Sequence, residues 1–237
     1  MRVSKPQKAK MASNVFGIPI TNQTLEAMPK YQGKEITATD RAYEALLMKN
    51  ADDKDVNARK FVESLKPKYG VVVVTTACLI YNATGNRLTY VGSHDWQGHI
   101  GDSPYPLVLE NGQWNAFLHV QNIPSFTGSV GATIYRGQDE NGDASDWMLA
   151  WYNPWDRALD HNRVCTEIRV ADHCKGIDWS SIYDNKLSKF DQYSNETWNG
   201  CYSSVITGYS DVIDVNTANR ICPIFEGIMT LKNAWMQ

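Results

Sequence analysis

The sequence has no apolar run long enough to cross a bilayer and no excess of one charge. Its longest apolar candidate, residues 71–80, has the length of a strand and falls short of the ~20 residues that a membrane helix needs. The 23 basic and 26 acidic side chains give a formal net charge of −3. This balance excludes the broad basic surface that binds nucleic acid or anionic membranes. We therefore expect no transmembrane segment and no nucleic-acid partner.

Cysteine is scarce and unpatterned, and no export signal accompanies it. The five cysteines are an odd number without CxxC spacing: Cys78, Cys165, Cys174, Cys201 and Cys222. The basic residues 1–10 are not followed by the apolar region of a secretory signal. These features predict reduced thiols, a cytoplasmic location and a flexible tail over residues 1–13.

The motifs of the common enzyme classes are also missing. GxSxG, the P-loop, GxGxxG and HExxH do not occur, so hydrolase, nucleotide-binding and zinc-protease chemistry have no support. We expect neither a cofactor nor a bound metal. The sequence leaves open whether the protein is an enzyme.

Helical periodicity is confined to the regions that flank residues 70–170. Residues 39–66 predict a pair of helices, with Thr39 as the first cap and an interruption at residues 50–53. The second helix is indicated by an apolar stripe of Ala58, Phe61, Val62 and Leu65. A further helix capped by Asp178, followed by strands at residues 202–208 and 221–231, is predicted for residues 178–231.

After Gly70 the hydrophobic period changes from 3.6 to 2, which predicts a β core over residues 70–170. The predicted strands cover residues 71–81, 87–91, 114–120, 130–136, 147–152 and 163–170. We expect the first two to form a hairpin about the turn-forming residues 82–86. Residues 14–237 are predicted to form one domain, because mainly β chains often reach this length as a single unit.

Several separated segments resemble the 23 kDa jasmonate-induced protein family of plants. They are residues 15–20 (VFGIPI), 78–85 (CLIYNATG), 94–99 (HDWQGH), 111–114 (NGQW) and 149–151 (LAW). The resemblance implies a plant protein that accumulates in jasmonate, wound or salt-stress responses, with a role in defence. It implies no established catalytic residues.

A more distant resemblance, to the sandwich core of actinoporins and fungal fruit-body lectins, is carried by residues 130–135, 147–156 and 162–168. The fold expected is mainly β with flanking helices (α+β), an actinoporin-like β-sandwich preceded by an N-terminal helical pair. In the pore-forming relatives the N-terminal segment is amphipathic and inserts into membranes. Here residues 15–20 are short and contain Pro19, so membrane permeabilisation is retained only as an alternative function.

The densest aromatic run begins at Trp147. On a strand, Trp147 and Trp151 share one face, and we expect both to fill the core. Tyr152 lies on the other face, and Trp155 and Asp156 follow on a loop that contains proline. These three residues are the candidate contacts for a sugar ring or a quaternary ammonium headgroup. The predicted partner is therefore a carbohydrate or a lipid headgroup.

A second candidate site is the segment 94–102, which holds two histidines and two carboxylates. His94, Asp95 and His99 are the candidate acid–base groups of an alternative function, an enzyme of plant specialised metabolism. His94 and Asp95 are also candidate polar ligand contacts. The spacing of His94 and His99 is not that of a helical metal-binding pair, and no third ligand is evident, so a metal site is not expected.

Two other histidines carry less functional signal. His119 is interpreted as a solvent-facing or hydrogen-bonded structural residue. Cys165 and His161 form a conceivable nucleophile and base, but no oxyanion donor accompanies them. The leading hypothesis is thus a non-catalytic β-sandwich that binds a carbohydrate or a lipid headgroup.

Overall fold

The computed structural model describes residues 14–70, 73–125, 127–156, 159–208, 213–214, 219–220 and 222–237. The predicted flexible tail, residues 1–13, lies outside the described residues. The α-helices are α1 Asn22–Glu26, α2 Ala38–Leu47, α3 Lys54–Leu65, α4 Trp179–Ile182 and α5 Lys232–Trp235. Short 3₁₀ turns occupy Pro29–Tyr31, Ala51–Asp53 and Lys66–Tyr69, and a π-helical turn, Tyr183–Leu187, extends α4. None of the helices in these ranges is long and apolar enough to cross a membrane.

The strands form two main sheets and a small ribbon. They are β1 Val15–Phe16, β2 Thr75–Ala83, β3 Leu88–Gln97, β4 His99–Ile100, β5 Val108–Leu109, β6 Trp114–Val120, β7 Ser129–Gln138, β8 Ala144–Asn153, β9 Arg163–Val170, β10 Tyr193–Trp198, β11 Cys201–Thr207, β12 Ile213–Asp214, β13 Asn219–Arg220 and β14 Ile224–Leu231. Sheet A has the order β1-β6-β2-β14-β11-β10, with β4 also on β6. Sheet B has the order β5-β3-β7-β8-β9. Within these sheets β2 and β14 are parallel, and the other pairs are antiparallel.

The core lies between the two sheets and under the helices. β2 is buried along its whole length because sheet B covers one face and α2 and α3 cover the other. Trp147 and Trp151 are fully buried, which confirms their predicted place in the core. Trp151 lies at the centre of the sandwich, with ring centroids 5.8 Å from Phe117 and 5.6 Å from Phe225. The outer face of sheet B is covered by the helical turns after residue 178.

The predicted helical pair is present, but its first cap is wrong. The cap is Thr37, two residues before the predicted cap, because Thr37 and Asp40 form a reciprocal capping box. The Asp40 amide donates to the Thr37 hydroxyl at 3.2 Å, and the Thr37 amide donates to the Asp40 carboxylate at 2.8 Å. Thr39 therefore lies inside α2. The interruption at residues 50–53 is confirmed, with positive φ at Asp52 and Asp53.

The predicted hairpin of residues 71–91 is wrong. Residues 71 and 72 lie outside the described residues, and the strand that follows them begins at Thr75. β2 pairs with β6 and β14 in sheet A, whereas β3 pairs with β5 and β7 in sheet B. The turn at residues 82–86 thus carries the chain from one sheet to the other. A strand buried on both faces is a central strand, and its two neighbours here come from later in the sequence.

Candidate functional site

The aromatic loop after β8 lines a depression at one end of the sandwich. The depression has a volume of about 230 Å³, and we call it the Trp155 depression. Because neighbouring strands of sheet B are antiparallel, the end of β3, the start of β7 and the end of β8 meet at this edge. The described residues that line it are Gln97, Thr127, Gly128, Tyr152, Pro154, Trp155, Asp156, Leu159 and Asp160. The predicted residues Tyr152, Trp155 and Asp156 are therefore brought together.

Tyr152 is fixed in place from two sides. Its hydroxyl donates to a carboxylate oxygen of Asp160 at 2.7 Å, and the Arg163 guanidinium lies 5.0 Å from its ring centroid. Arg163 also forms an ion pair with Asp160. Burial and the bond to Asp160 raise the pKa of Tyr152, so its hydroxyl stays protonated. Burial acts to raise the pKa of Asp160, but the bonds from Arg163 and Tyr152 hold it below its usual value.

The loop is anchored to both sheets by Asn153 and Gly128. The Asn153 side-chain amide crosses to sheet A and donates to the Thr75 carbonyl at 3.0 Å. The Gly128 amide donates to the Gln97 side chain at 2.7 Å. A Cβ atom at Gly128 would lie 2.2 Å from the Asn153 carbonyl oxygen, so this close approach requires glycine. The wall of the depression is thus preorganised before any ligand arrives.

The chemistry of the depression favours a cation with an apolar surface. Its described lining residues include two aromatic rings, two carboxylates (Asp156 and Asp160) and no cation. Leu159 lines the same rim and is 86% exposed, and Ile123, on the loop that leads to Thr127, is 71% exposed. Aromatic rings and carboxylates together attract a quaternary ammonium group, and exposed aliphatic side chains beside them favour contact with acyl chains.

The candidate acid–base residues of the other predicted site do not share a centre. The His94 ring stacks on Trp179, with centroids 4.5 Å apart, and burial lowers its pKa, so it is neutral near pH 7. Asp95 points to the opposite face of β3, toward the space between the sheets. The His99 ring is exposed and bonds the Asn122 side chain at 2.7 Å. The three side chains therefore have no common site at which one substrate could meet them.

A buried polar chain links this segment to the aromatic loop. His119 is fully buried, with Nε2 3.1 Å from the Asp95 carboxylate and Nδ1 2.8 Å from the Ser129 hydroxyl. The Ser129 hydroxyl lies 2.8 Å from that of Thr76, to which Asn153 donates at 3.2 Å. Since a carboxylate only accepts, the His119 proton resides on Nε2, and burial lowers the pKa of the ring.

The order Asp95, His119, Ser129 resembles a catalytic triad, but its role here is structural. The Ser129 side chain is fully buried, so its hydroxyl meets only protein groups. The interpretation of His119 as a hydrogen-bonded residue is confirmed. Its partners lie on β3 and β7, and its sequence neighbours gave no signal for this network.

The structure also gives no support to Cys165 and His161 as a nucleophile and base. Cys165 is fully buried, and burial raises the pKa of its thiol to about 12. His161 is half-exposed on the surface, 3.8 Å from carboxylate oxygens of both Asp160 and Asp191. A thiol with this pKa stays protonated at neutral pH and is not a nucleophile.

The two sheets and the covering helices define a class of mainly β sandwich proteins with a solved representative. The crystal structure of the lipid binding protein Nakanori matches this fold with a TM-score of 0.77 and 28% identity, covering 91% of this chain and 98% of that one. The family described as "Nakanori-like protein" matches residues 16–221, and the chain belongs to it.

The plant relatives confirm the resemblance found in the sequence. The chain is 45% identical to the 23 kDa jasmonate-induced protein of Hordeum vulgare over 179 residues, which are 75% of this chain and 83% of that protein. It is 29% identical to a jasmonate-induced protein homolog of Atriplex canescens over 102 residues, which are 43% of this chain and 54% of that one. The predicted fold class, mainly β with flanking helices, is also confirmed.

Proposed function

We propose that this protein acts in plant stress responses as a non-catalytic binder of lipid headgroups. The family relation to jasmonate-induced proteins supports the stress response, and the fold shared with a lipid binding protein supports the ligand class. The observation that carries the proposal is the Trp155 depression, a preformed aromatic and acidic hollow lined also by the exposed Leu159. A role in defence is part of the proposal.

The headgroup we propose is a quaternary ammonium, as in phosphatidylcholine. Trp155 is the proposed ring contact, and cation–π attraction contributes ~0.5–2 kcal/mol for a well-placed ring. Tyr152 already has the Arg163 guanidinium over its ring and completes the wall of the hollow. Asp156 lines the same hollow and adds a carboxylate to it, whereas the charge of Asp160 is neutralised by its ion pair with Arg163. A neutral sugar would gain the stacking but not the charge attraction, so we rank the headgroup above the carbohydrate.

The exposed side chains at this end suggest how the protein meets a membrane. Leu159 lines the depression and is exposed, and Ile123 is exposed four residues before Thr127, which also lines it. Burying one such side chain contributes ~1.5–3 kcal/mol. The headgroup would then be bound while its acyl chains stay in the bilayer.

The N-terminal segment argues for binding without permeabilisation. Val15 and Phe16 form β1, which pairs with Asn115 and Trp114 of β6. The Phe16 ring also contacts that of Phe61 on α3, with centroids 5.5 Å apart. Releasing this segment for insertion would break the sheet pairing and the helix packing together. We expect vesicles to bind the protein and to keep their contents.

The compartment that we propose is the cytoplasm. Cys78, Cys165, Cys174 and Cys201 are thiols outside any disulfide. Burial raises the pKa of Cys174 to about 11 and that of Cys201 to about 12, so both remain protonated. Unpaired thiols are typical of proteins in a reducing compartment.

Vesicle binding tests the proposed function. Co-sedimentation with phosphatidylcholine vesicles should show binding that Trp155→Ala weakens about tenfold, because the loss of one aromatic contact is worth ~1–2 kcal/mol. Trp235→Ala is the matched control, since Trp235 is an exposed tryptophan on α5, and this variant should bind like wild type.

Three outcomes would contradict the proposal. If Trp155→Ala leaves vesicle binding unchanged, the depression is not the binding site. Binding of soluble glycans on an array, with none to vesicles, would favour the carbohydrate. Release of an entrapped dye would favour the permeabilising alternative.

A further inference from the structure

A second pocket lies at the other end of the sandwich, where β2 ends. It has a volume of about 210 Å³, and we call it the Arg41 pocket. The residues that line it are Pro19, Ile20, Thr21, Asn22, Arg41, Gly85, Asn86, Arg87, Glu110 and Asn111. The two cavities lie at opposite ends of β2. Asn153, near Trp155, bonds Thr75, the first residue of the strand, whereas Gly85 lies two residues after its last residue, Ala83. A strand of nine residues spans about 30 Å, so the two cavities are well separated.

Arg41 bonds only neutral oxygens in this pocket. Its Nε donates to the Gly85 carbonyl at 2.7 Å, and its two η nitrogens donate to the side-chain oxygens of Asn22 at 2.7 Å and Asn86 at 3.1 Å. A guanidinium has five N–H donors. Two of the five therefore have no partner in the part of the chain that the structure describes, one on each η nitrogen.

No carboxylate bonds the charged guanidinium of Arg41 in the part of the chain that the structure describes. It is half-buried, and burial lowers the pKa of its guanidinium; the carboxylate of Asp40 acts in the opposite direction. That carboxylate bonds the amide and hydroxyl of Thr37, at 2.8 and 2.6 Å, and so weakens the positive potential of Arg41 without pairing with it. The other ionic groups of the lining, Arg87 and Glu110, pair with each other at 2.6 Å. The described lining thus has a net charge of +1.

The neutral groups around Arg41 are arranged as donors. Because the side-chain oxygens of Asn22 and Asn86 accept from Arg41, their NH₂ groups remain available as hydrogen-bond donors. The frame is rigid, since Asn111 accepts from the Gly85 amide at 2.8 Å and donates to the Ile20 and Arg41 carbonyls. A rigid, positively charged group of N–H donors matches a ligand whose polar atoms only accept hydrogen bonds.

We propose that the Arg41 pocket binds an oxyanion, a phosphate or carboxylate group held by the two remaining N–H groups of Arg41. Two parallel N–H···O bonds to one oxyanion are the geometry in which arginine binds such groups most strongly. The Asn22 and Asn86 amides provide the next donors. Glu110 is the one described lining group that opposes the anion, which gives the site a direct electrostatic test.

Nuclear magnetic resonance titration with inorganic phosphate, at constant low ionic strength, tests the site. We expect saturable shifts of the Arg41 Nε–H and of the Asn22 and Asn86 side-chain amides. Arg41→Gln should weaken phosphate binding at least tenfold, and Arg41→Lys should lie between it and wild type, because lysine lacks the planar fork. Arg59→Gln is the control, since it removes an equal charge from an exposed position on α3.

A variant that leaves Arg41 intact distinguishes a change in the site from a loss of the fold. Glu110→Gln removes the opposing carboxylate and should strengthen phosphate binding about threefold or more. Two results would overturn the proposal: no saturable shifts in wild type with either phosphate or acetate, or affinities that stay the same in Arg41→Gln and Glu110→Gln.

Vesicles distinguish the sources of the oxyanion. If phosphatidic acid in phosphatidylcholine vesicles shifts the same amides and free phosphate binds more weakly, the ligand is a lipid phosphate. If free phosphate or acetate binds as well as the vesicles, the ligand is a soluble anion. Trp155→Ala should leave phosphate binding unchanged, so this proposal and the headgroup proposal fail independently.

Discussion

Lys54, the first residue of α3, is buried, and its ammonium group has neutral hydrogen-bond partners. It donates to the Tyr81 hydroxyl at 3.1 Å and to the Gly112 carbonyl at 2.8 Å. Burial lowers its pKa to about 8, against the opposing effect of Asp52 and Asp55. The group therefore gives up its proton more readily in the folded protein than in the unfolded chain.

This difference makes stability depend on pH. Between pH 8 and the unfolded pKa of ~10.4, the unfolded chain binds more protons, so the free energy of unfolding rises as the pH increases through this window. We expect urea denaturation between about pH 7.5 and 9.5 to show the rise in wild type and to lose it in Lys54→Met. Lys60→Met, at an exposed position of the same helix, should retain it. A Lys54→Met protein with the wild-type slope would contradict this assignment.

At the same scale, sequence reasoning named three of the nine described residues that line the Trp155 depression. Tyr152, Trp155 and Asp156 are neighbours in the chain, so their run of aromatic and acidic side chains was visible in the sequence. Gln97 and Gly128 reach the same depression from other strands, and only the strand order brings them there. Their contribution depends on pairing across the sheet, which local composition does not encode.

Among the elements, the start of β7 and the end of β8, which pair with each other, determine the shape of the Trp155 depression. Gly128→Ala places a methyl group 2.2 Å from the Asn153 carbonyl oxygen, and relieving this clash should cost ~1–3 kcal/mol in the free energy of unfolding. Vesicle binding should fall with it. In Gly92→Ala the added methyl group meets no described atom within 4 Å, so both quantities should change little. Equal effects of the two substitutions in denaturation and co-sedimentation would show that the contact is unimportant.

The elements also show where local patterns stop being informative. β6 and β9 have the predicted bounds because their periodicity is contained within each segment. The hairpin of residues 71–91 was wrong because the neighbours of β2 are β6 and β14. β10 was missed because Ser194, Asn195, Glu196 and Thr197 make it too polar to read as a strand, as is common at the edge of a sheet.

In the whole molecule, the last long strand completes the centre of sheet A. β14 lies between β2 and β11, and Phe225 and Met229 are fully buried in the core. Removing residues 222–237 should therefore abolish cooperative thermal unfolding. Removing only residues 236–237 is the control, since Met236 is 72% exposed, and should leave the melting temperature unchanged. A cooperative transition in the longer deletion would show that sheet A is stable without β14.

The pairing of β2 with β14 also has a consequence for synthesis on the ribosome. Thr230 bonds the Ala83 carbonyl across 147 residues of chain, so β2 emerges long before its partner exists. Until then its apolar edge is open to other nascent chains, the exposure that chaperones cover in slow-folding sheets. A chain that stops before residue 224 lacks β14 and is therefore not expected to complete sheet A. Quality control of this protein is therefore expected to act on the nascent chain.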